Sequence, residues 1–218
     1  MAPSASIPRW LWGAVVALFL ALPPPAVAGV IGGQVRSLLG KASDKALARL
    51  AEPGAFMADD KVRIAMPGGV AQRSELVRLA DQAGLTNSLV QSMNTAAELA
   101  AAQARPLFRD AIEQMAIRNS LDIVGEDEAA TRYLRKYAYG EIRARLRPLV
   151  MVALDSTGAF SQMGKVAATA SLPRAAGLSR EGLTDSVTDQ ALDGMFKYIA
   201  DEEEALREDP ISAVFKGF

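Results

Sequence analysis

The sequence predicts an all-α, bundle-like single domain, and three observations lead there. Apolar residues recur with a period near 3.6 over four long stretches of the chain. Period-two alternation is confined to Val62-Arg63-Ile64-Ala65-Met66, which Pro67-Gly68-Gly69 cuts off, so a short strand or extended arm is the most this segment supports. No linker, low-complexity tract or composition shift divides residues 29–218, which are therefore expected to form one helical domain.

Residues 1–28 stand apart from that domain. Their one charged side chain is Arg9, followed by the apolar run 10–22, then Pro23-Pro24-Pro25 and Ala26-Val27-Ala28 before Gly29. The apolar run has 13 residues, short of the roughly 20 that cross a bilayer, and small residues at Ala26 and Ala28 suit a signal peptidase. A secretory signal peptide is the reading preferred over a retained anchor. It implies a periplasmic or secreted protein with no transmembrane segment after signal removal. There is no twin arginine and no cysteine, so neither folded-state export nor lipidation is indicated.

The first helix is expected over residues 35–50, through Val35, Leu38, Leu39, Ala42, Ala46 and Leu50, with Pro53-Gly54 as its stop. Residues 55–69 read as the one non-helical stretch, and residues 70–83 as a second helix closed by Gly84. A third, long helix spans residues 85–115. Leu85, Leu89, Met93, Ala96, Ala97, Ala100, Ala104, Leu107, Phe108, Ala111 and Met115 fall on one face, and the alanines make a thin surface that a neighbouring backbone can approach. Pro106 removes a hydrogen bond to the Ala102 carbonyl, and Pro148 repeats this in the next helix, residues 126–154, so a kink is expected at each. Residues 160–177 read as a short helix and a loop, residues 182–208 as the last helix before Pro210, and residues 212–218 as a tail.

Composition removes most catalytic templates. With no cysteine and no histidine there is no thiolate nucleophile, no disulfide and neither of the commonest zinc ligands. No Ser-x-x-Lys or Gly-x-Ser-x-Gly occurs, and Gly164-Lys165-Val166 lacks the spacing and hydroxyl of a phosphate-binding loop. A net charge of −1 exerts no global pull on nucleic acid, so no nucleic-acid partner is expected, and no cofactor is implied.

Several strings carry a resemblance. They are Asn94-Thr95-Ala96-Ala97-Glu98, Arg105-Pro106-Leu107-Phe108, Ala129-Ala130-Thr131-Arg132-Tyr133, Ala191-Leu192-Asp193-Gly194-Met195-Phe196, and Glu203-Glu204 with Arg207 and Asp209-Pro210. In that order they resemble the bacterial envelope family catalogued as domain of unknown function 4197, over residues 38–215. The resemblance implies an all-helical exported protein and brings no activity with it. The stretch between Pro210 and Val214-Phe215 looks shortened against that pattern.

Carboxylates, arginines and tyrosines remain to carry any chemistry. On the third helix Asn94, Glu98, Arg105 and Arg109 share one side, where a half-buried Glu98 would serve as acid or base and an arginine would place an anion. A polar network that fixes helix packing is the blander and preferred account. Asp185, Asp189 and Asp193 recur every fourth residue on the last helix and suggest a hard cation. They stand about 6 Å apart along the helix and converge poorly on one ion, so a solvated or salt-bridged face is expected and no metal site is assigned. Glu202 projects onto the apolar side and requires a partner, expected to be an arginine from a neighbouring helix.

Arg132, Lys136, Arg143 and Arg147 form a basic stripe that would suit phosphate head groups or similar anions. The opposite charge excess of the last helix predicts instead that the two helices face each other. Tyr133 and Tyr137 are expected in the core. The resulting expectation is a non-catalytic binding or interaction protein whose partner is an apolar or anionic small molecule, a lipid or an envelope protein. The alternatives are a carboxylate-dependent enzyme using Glu98 or Glu202, or a purely structural component.

Overall fold

The computed structural model describes residues 24–67, 82, 84–116, 128–169 and 179–208. Their secondary structure is six helices: α1 (Pro24–Leu50), α2 (Ala55–Ala58), α3 (Leu85–Gln114), α4 (Ala129–Ser156), α5 (Ala159–Thr169) and α6 (Arg180–Glu208). The all-α class is as the periodicity predicts. Among the described residues no helix is long and apolar enough to cross a membrane.

The long helices α1, α3, α4 and α6 form the bundle. α3 packs against α1 and α4, and α6 packs against the same two, which closes a ring of four. Cross-links fix the directions. Arg36 reaches the Met115 carbonyl and Arg109 reaches Asp44, so α1 and α3 run antiparallel. Tyr133 reaches the Ala116 carbonyl and Arg145 reaches Asp110, so α3 and α4 do too. Arg135 with Asp193 and Arg147 with Asp185 give the same sense for α4 and α6. The result is an up-down-up-down arrangement in which chain neighbours are spatial neighbours.

One core fills the ring. All the apolar positions read on α3 are buried except Leu85, which is half-buried against the same cluster. Ala96, Ala97, Ala100, Ala101 and Ala104 have no exposed surface, in keeping with close approach by the neighbouring helices. Phe108 and Phe196 meet edge to face at 5.5 Å in the centre, and Tyr139 stacks on Phe196 from the α4 side.

Several local expectations change. α1 begins at Pro24 rather than at residue 35. The stretch rich in glycine and alanine ahead of Val35 has no apolar stripe to read, yet adding a turn to an existing helix costs little compared with nucleating one. Ala55–Ala58 is a one-turn helix inside the stretch read as non-helical, entered through Gly54 at φ 84°. It seats Phe56 in the core, which no periodicity signals in four residues. Both α3 and α4 continue through their prolines. α4 starts at Ala129, three residues late, after Glu128 at φ 60°. Tyr137 is exposed and not in the core, because the buried phase of α4 runs through Leu134, Ala138 and Ile142 and leaves position 137 outside it. The helix read over residues 70–83, the loop after residue 169 and the tail at 212–218 lie outside the described residues, apart from Gln82, which is helical.

The segment with period-two alternation is an arm that has no partner strand among the described residues. It lies across α3 and α6, burying Val62 and Ile64 and exposing Arg63 and Ala65, as alternation requires.

Candidate functional site

The arm explains what the polar residues of α3 do. Asn94, 1% exposed, accepts the Ile64 amide at 2.9 Å through Oδ1 and donates through Nδ2 to the Ile64 carbonyl at 3.0 Å. A side-chain carboxamide thus stands where a neighbouring strand would stand. Gln190 of α6 repeats the device one residue on, accepting the Ala65 amide at 2.8 Å and donating to the Ala65 carbonyl at 3.1 Å. Glu98 is buried against α2, with the Phe56 amide 3.4 Å from its Oε1. Gly194 completes the seat: a Cβ there would stand 3.2 Å from Val62 Cβ and 3.4 Å from the Phe56 ring.

Asn94, Glu98, Arg105 and Arg109 therefore share a side of α3 without forming one site. The arm covers Asn94, and Glu98 is buried against α2. Arg105 and Arg109, two turns further on, are exposed, and Arg109 donates to both oxygens of Asp44 on α1.

Glu202 finds its arginine. It accepts from Arg49 Nη1 of α1 at 2.8 Å, with Lys45 3.9 Å away, and that contact holds the Arg49 guanidinium further on the charged side of its equilibrium. Glu203, with no exposed surface, went unnoticed as a buried carboxylate in the sequence. It accepts the Ala130 and Thr131 amides and the Thr131 hydroxyl at the start of α4, together with Arg207. Helix phase would have found it, since Phe196, Ile199 and Glu203 follow the same buried row.

The three aspartates of α6 are engaged by α4. Arg147 donates to Asp185 at 2.7 Å, Arg143 to Asp189, and Arg135 and Tyr139 to Asp193. The hydrogen bond from Arg147 is the main cause that holds Asp185 below the usual carboxylate range. Burial, with the Asp193 charge beside it, raises the Tyr139 phenol to about 12. Burial and a hydrogen bond donated to Asp59 likewise raise Tyr198 to about 12. Asp59 in turn is lowered, first by the Lys61 amide and then by Tyr198.

The basic stripe thus divides. Arg143 and Arg147 face the acidic helix. Arg132 and Lys136, two to three turns nearer the start of α4 than Arg143, are exposed and line an open depression of about 470 Å³ with Arg135 and Tyr139. Arg135 was absent from the residues singled out in the sequence, although it neighbours Lys136. No group of carboxylates among the described residues is arranged to hold a metal ion.

No curated protein and no solved structure matches the chain. A family model described as a protein of unknown function, DUF4197, matches residues 28–215. Strings that carry the sequence resemblance include those that seat the arm, cap α4 and pair α6 with α4. The chain, matched over most of its length, belongs to the DUF4197 family.

Proposed function

We propose that this chain is an exported, non-catalytic binding protein of the bacterial envelope that recognises anionic groups through the depression at the start of α4. The observation that carries the reading is the convergence of Arg132, Arg135 and Lys136 with Tyr139 on one open concavity. Asp193 compensates the charge of Arg135 in part, and the exposed Lys136 adds a cation to the same concavity. Such a surface attracts phosphate-bearing head groups or similar anions, with a strength that falls as salt rises.

Two features favour this reading over its rivals. The carboxylates that an enzyme would use are spent on structure: Glu98 beside the Phe56 amide of α2 and Glu202 on Arg49. An apolar ligand between the long helices would have to displace the alanine-lined contacts of α3, which are closed. Export rests on the signal-like residues 1–28, and N-terminal sequencing of the exported protein should begin at Gly29.

Sedimentation with vesicles tests the anion site. Binding to vesicles containing anionic lipid should exceed binding to neutral ones, weaken with salt and be lost when Arg132→Glu and Lys136→Glu are combined. Equal binding to both vesicle types, or binding that survives the double charge reversal, would overturn the reading.

A further inference from the structure

A second concavity lies at the other end of α4. Ser88, Gln91, Ser92 and Thr95 follow one another at helical spacing on a single face of α3. Ser156 and Thr157 at the α4 to α5 corner and Gln162 of α5 complete a groove of about 520 Å³. That volume falls within the range of about 300–1,000 Å³ found for small-molecule sites.

Its lining is chemically uniform. In a chain where 22% of residues are charged, every lining residue among the described residues is an uncharged hydroxyl or carboxamide. Three of the hydroxyls donate backwards into their own helices: Ser88 to the Gly84 carbonyl, Ser156 to Ala153 and Thr157 to Leu154. Their protons are used and their lone pairs remain as acceptors. Gln91 and Gln162 each add paired donors and an acceptor from opposite sides of the groove.

Apolar surface borders it. Leu99 lies one turn beyond Thr95, and Val152 one turn before Ser156; they are 43% and 63% exposed. The antiparallel register set by Tyr133 with Ala116 and Arg145 with Asp110 places the two at one level. Neutral donors and acceptors beside a small apolar shelf match a ligand with hydroxyls around its edge and C–H bonds on its faces.

We propose that this groove binds a neutral saccharide. The lining formed by the described residues gives an ionic ligand no counter-charge, and its acceptor-rich hydroxyls with two carboxamides complement sugar hydroxyl and acetamido groups. The site is independent of the basic depression, from which the 1.5 Å helical rise separates it by about 30 Å between Lys136 and Ser156.

Calorimetry and side-chain amide NMR on the full chain test the proposal, with chitotriose and cellotriose as probes and inorganic phosphate as the charged control. At least one saccharide should bind saturably, shift the Gln91 and Gln162 amide signals and show no salt dependence. Thr95→Arg, at an exposed position, should weaken it about tenfold or more while leaving the melting temperature unchanged. Lys136→Glu should leave it intact. The proposal is overturned by the absence of saturable binding, by binding insensitive to Thr95→Arg, or by competition from phosphate.

Discussion

Glu203 and Thr131 join the last turns of α6 to the first turn of α4, one carboxylate oxygen accepting the Thr131 amide at 2.7 Å and its hydroxyl at 2.6 Å. A helix leaves its first amides without intrahelical partners, and here a side chain from another helix supplies the acceptor and a negative charge at the positive end of the helix dipole. Glu203→Ala would leave the buried Ala130 and Thr131 donors unpaired and remove an acceptor of Arg207. It should lower unfolding free energy by about 3 kcal/mol, measured by urea denaturation. Glu203→Gln, which keeps one acceptor, should cost less. A loss within error for both would remove the cap from any role in stability.

The arm should respond as a unit. Asn94→Ala strips the Ile64 amide and carbonyl of their partner, costing about 2–3 kcal/mol, and should speed hydrogen exchange at Ile64. Gly194→Leu should release the same segment by steric means, since even a Cβ stands 3.2 Å from Val62. Early proteolysis within residues 59–67 in both variants checks the coupling; protection equal to that of the parent protein would refute it.

Arg143 and Asp189 provide a double-mutant cycle between α4 and α6. Arg143→Glu should lower stability, and adding Asp189→Arg should restore part of the loss. Their side chains are 33% and 46% exposed, so the coupling should not exceed about 1 kcal/mol and should shrink with salt. Strict additivity would mean that the contact contributes nothing.

Stability should fall at both ends of the pH scale for identifiable reasons. The lowered carboxyls of Asp185 and Asp59 contribute stability that is fully present above their unfolded value of about 4 and lost as pH falls through the folded values. Asp185→Asn should flatten the acid limb. Tyr139 and Tyr198 are raised, so their contribution is complete below about pH 10 and lost as pH rises through about 12. Tyrosinate absorbance should show two of the four tyrosines titrating at about 12 in the folded protein, with one such step missing in Tyr198→Phe.

Calcium, magnesium and a chelator should each leave the melting temperature unchanged, because arginines already engage Asp185, Asp189 and Asp193. A rise of several degrees with micromolar calcium would show that the cation displaces them.

The helices were legible because burial writes its period directly into sequence. The α3 stripe from Leu89 to Met115 is buried as read, and Pro53-Gly54 and Gly84 mark true boundaries. The face shared by Asn94, Glu98, Arg105 and Arg109 was legible too, but its division was not. Helical geometry gives the angle of a side chain and says nothing of what lies over it, and here the arm and α2, distant in sequence, cover one half of that face. Pairing was half-legible: opposite charge excess indicated that the basic stripe of α4 faces α6, but only the antiparallel register selects Asp189 for Arg143 and Asp185 for Arg147.

The sequence by itself determined the class of fold, the phase of most buried faces and the need of Glu202 for a cationic partner, because these follow from local period and from the cost of burying a charge. Tertiary structure alone decided that Asn94 and Gln190 act as substitutes for a strand, that Glu203 caps a helix other than its own, and which aspartates of α6 Arg143 and Arg147 engage. Those outcomes depend on the lateral and axial offsets between packed helices, a few ångströms that no single helix encodes.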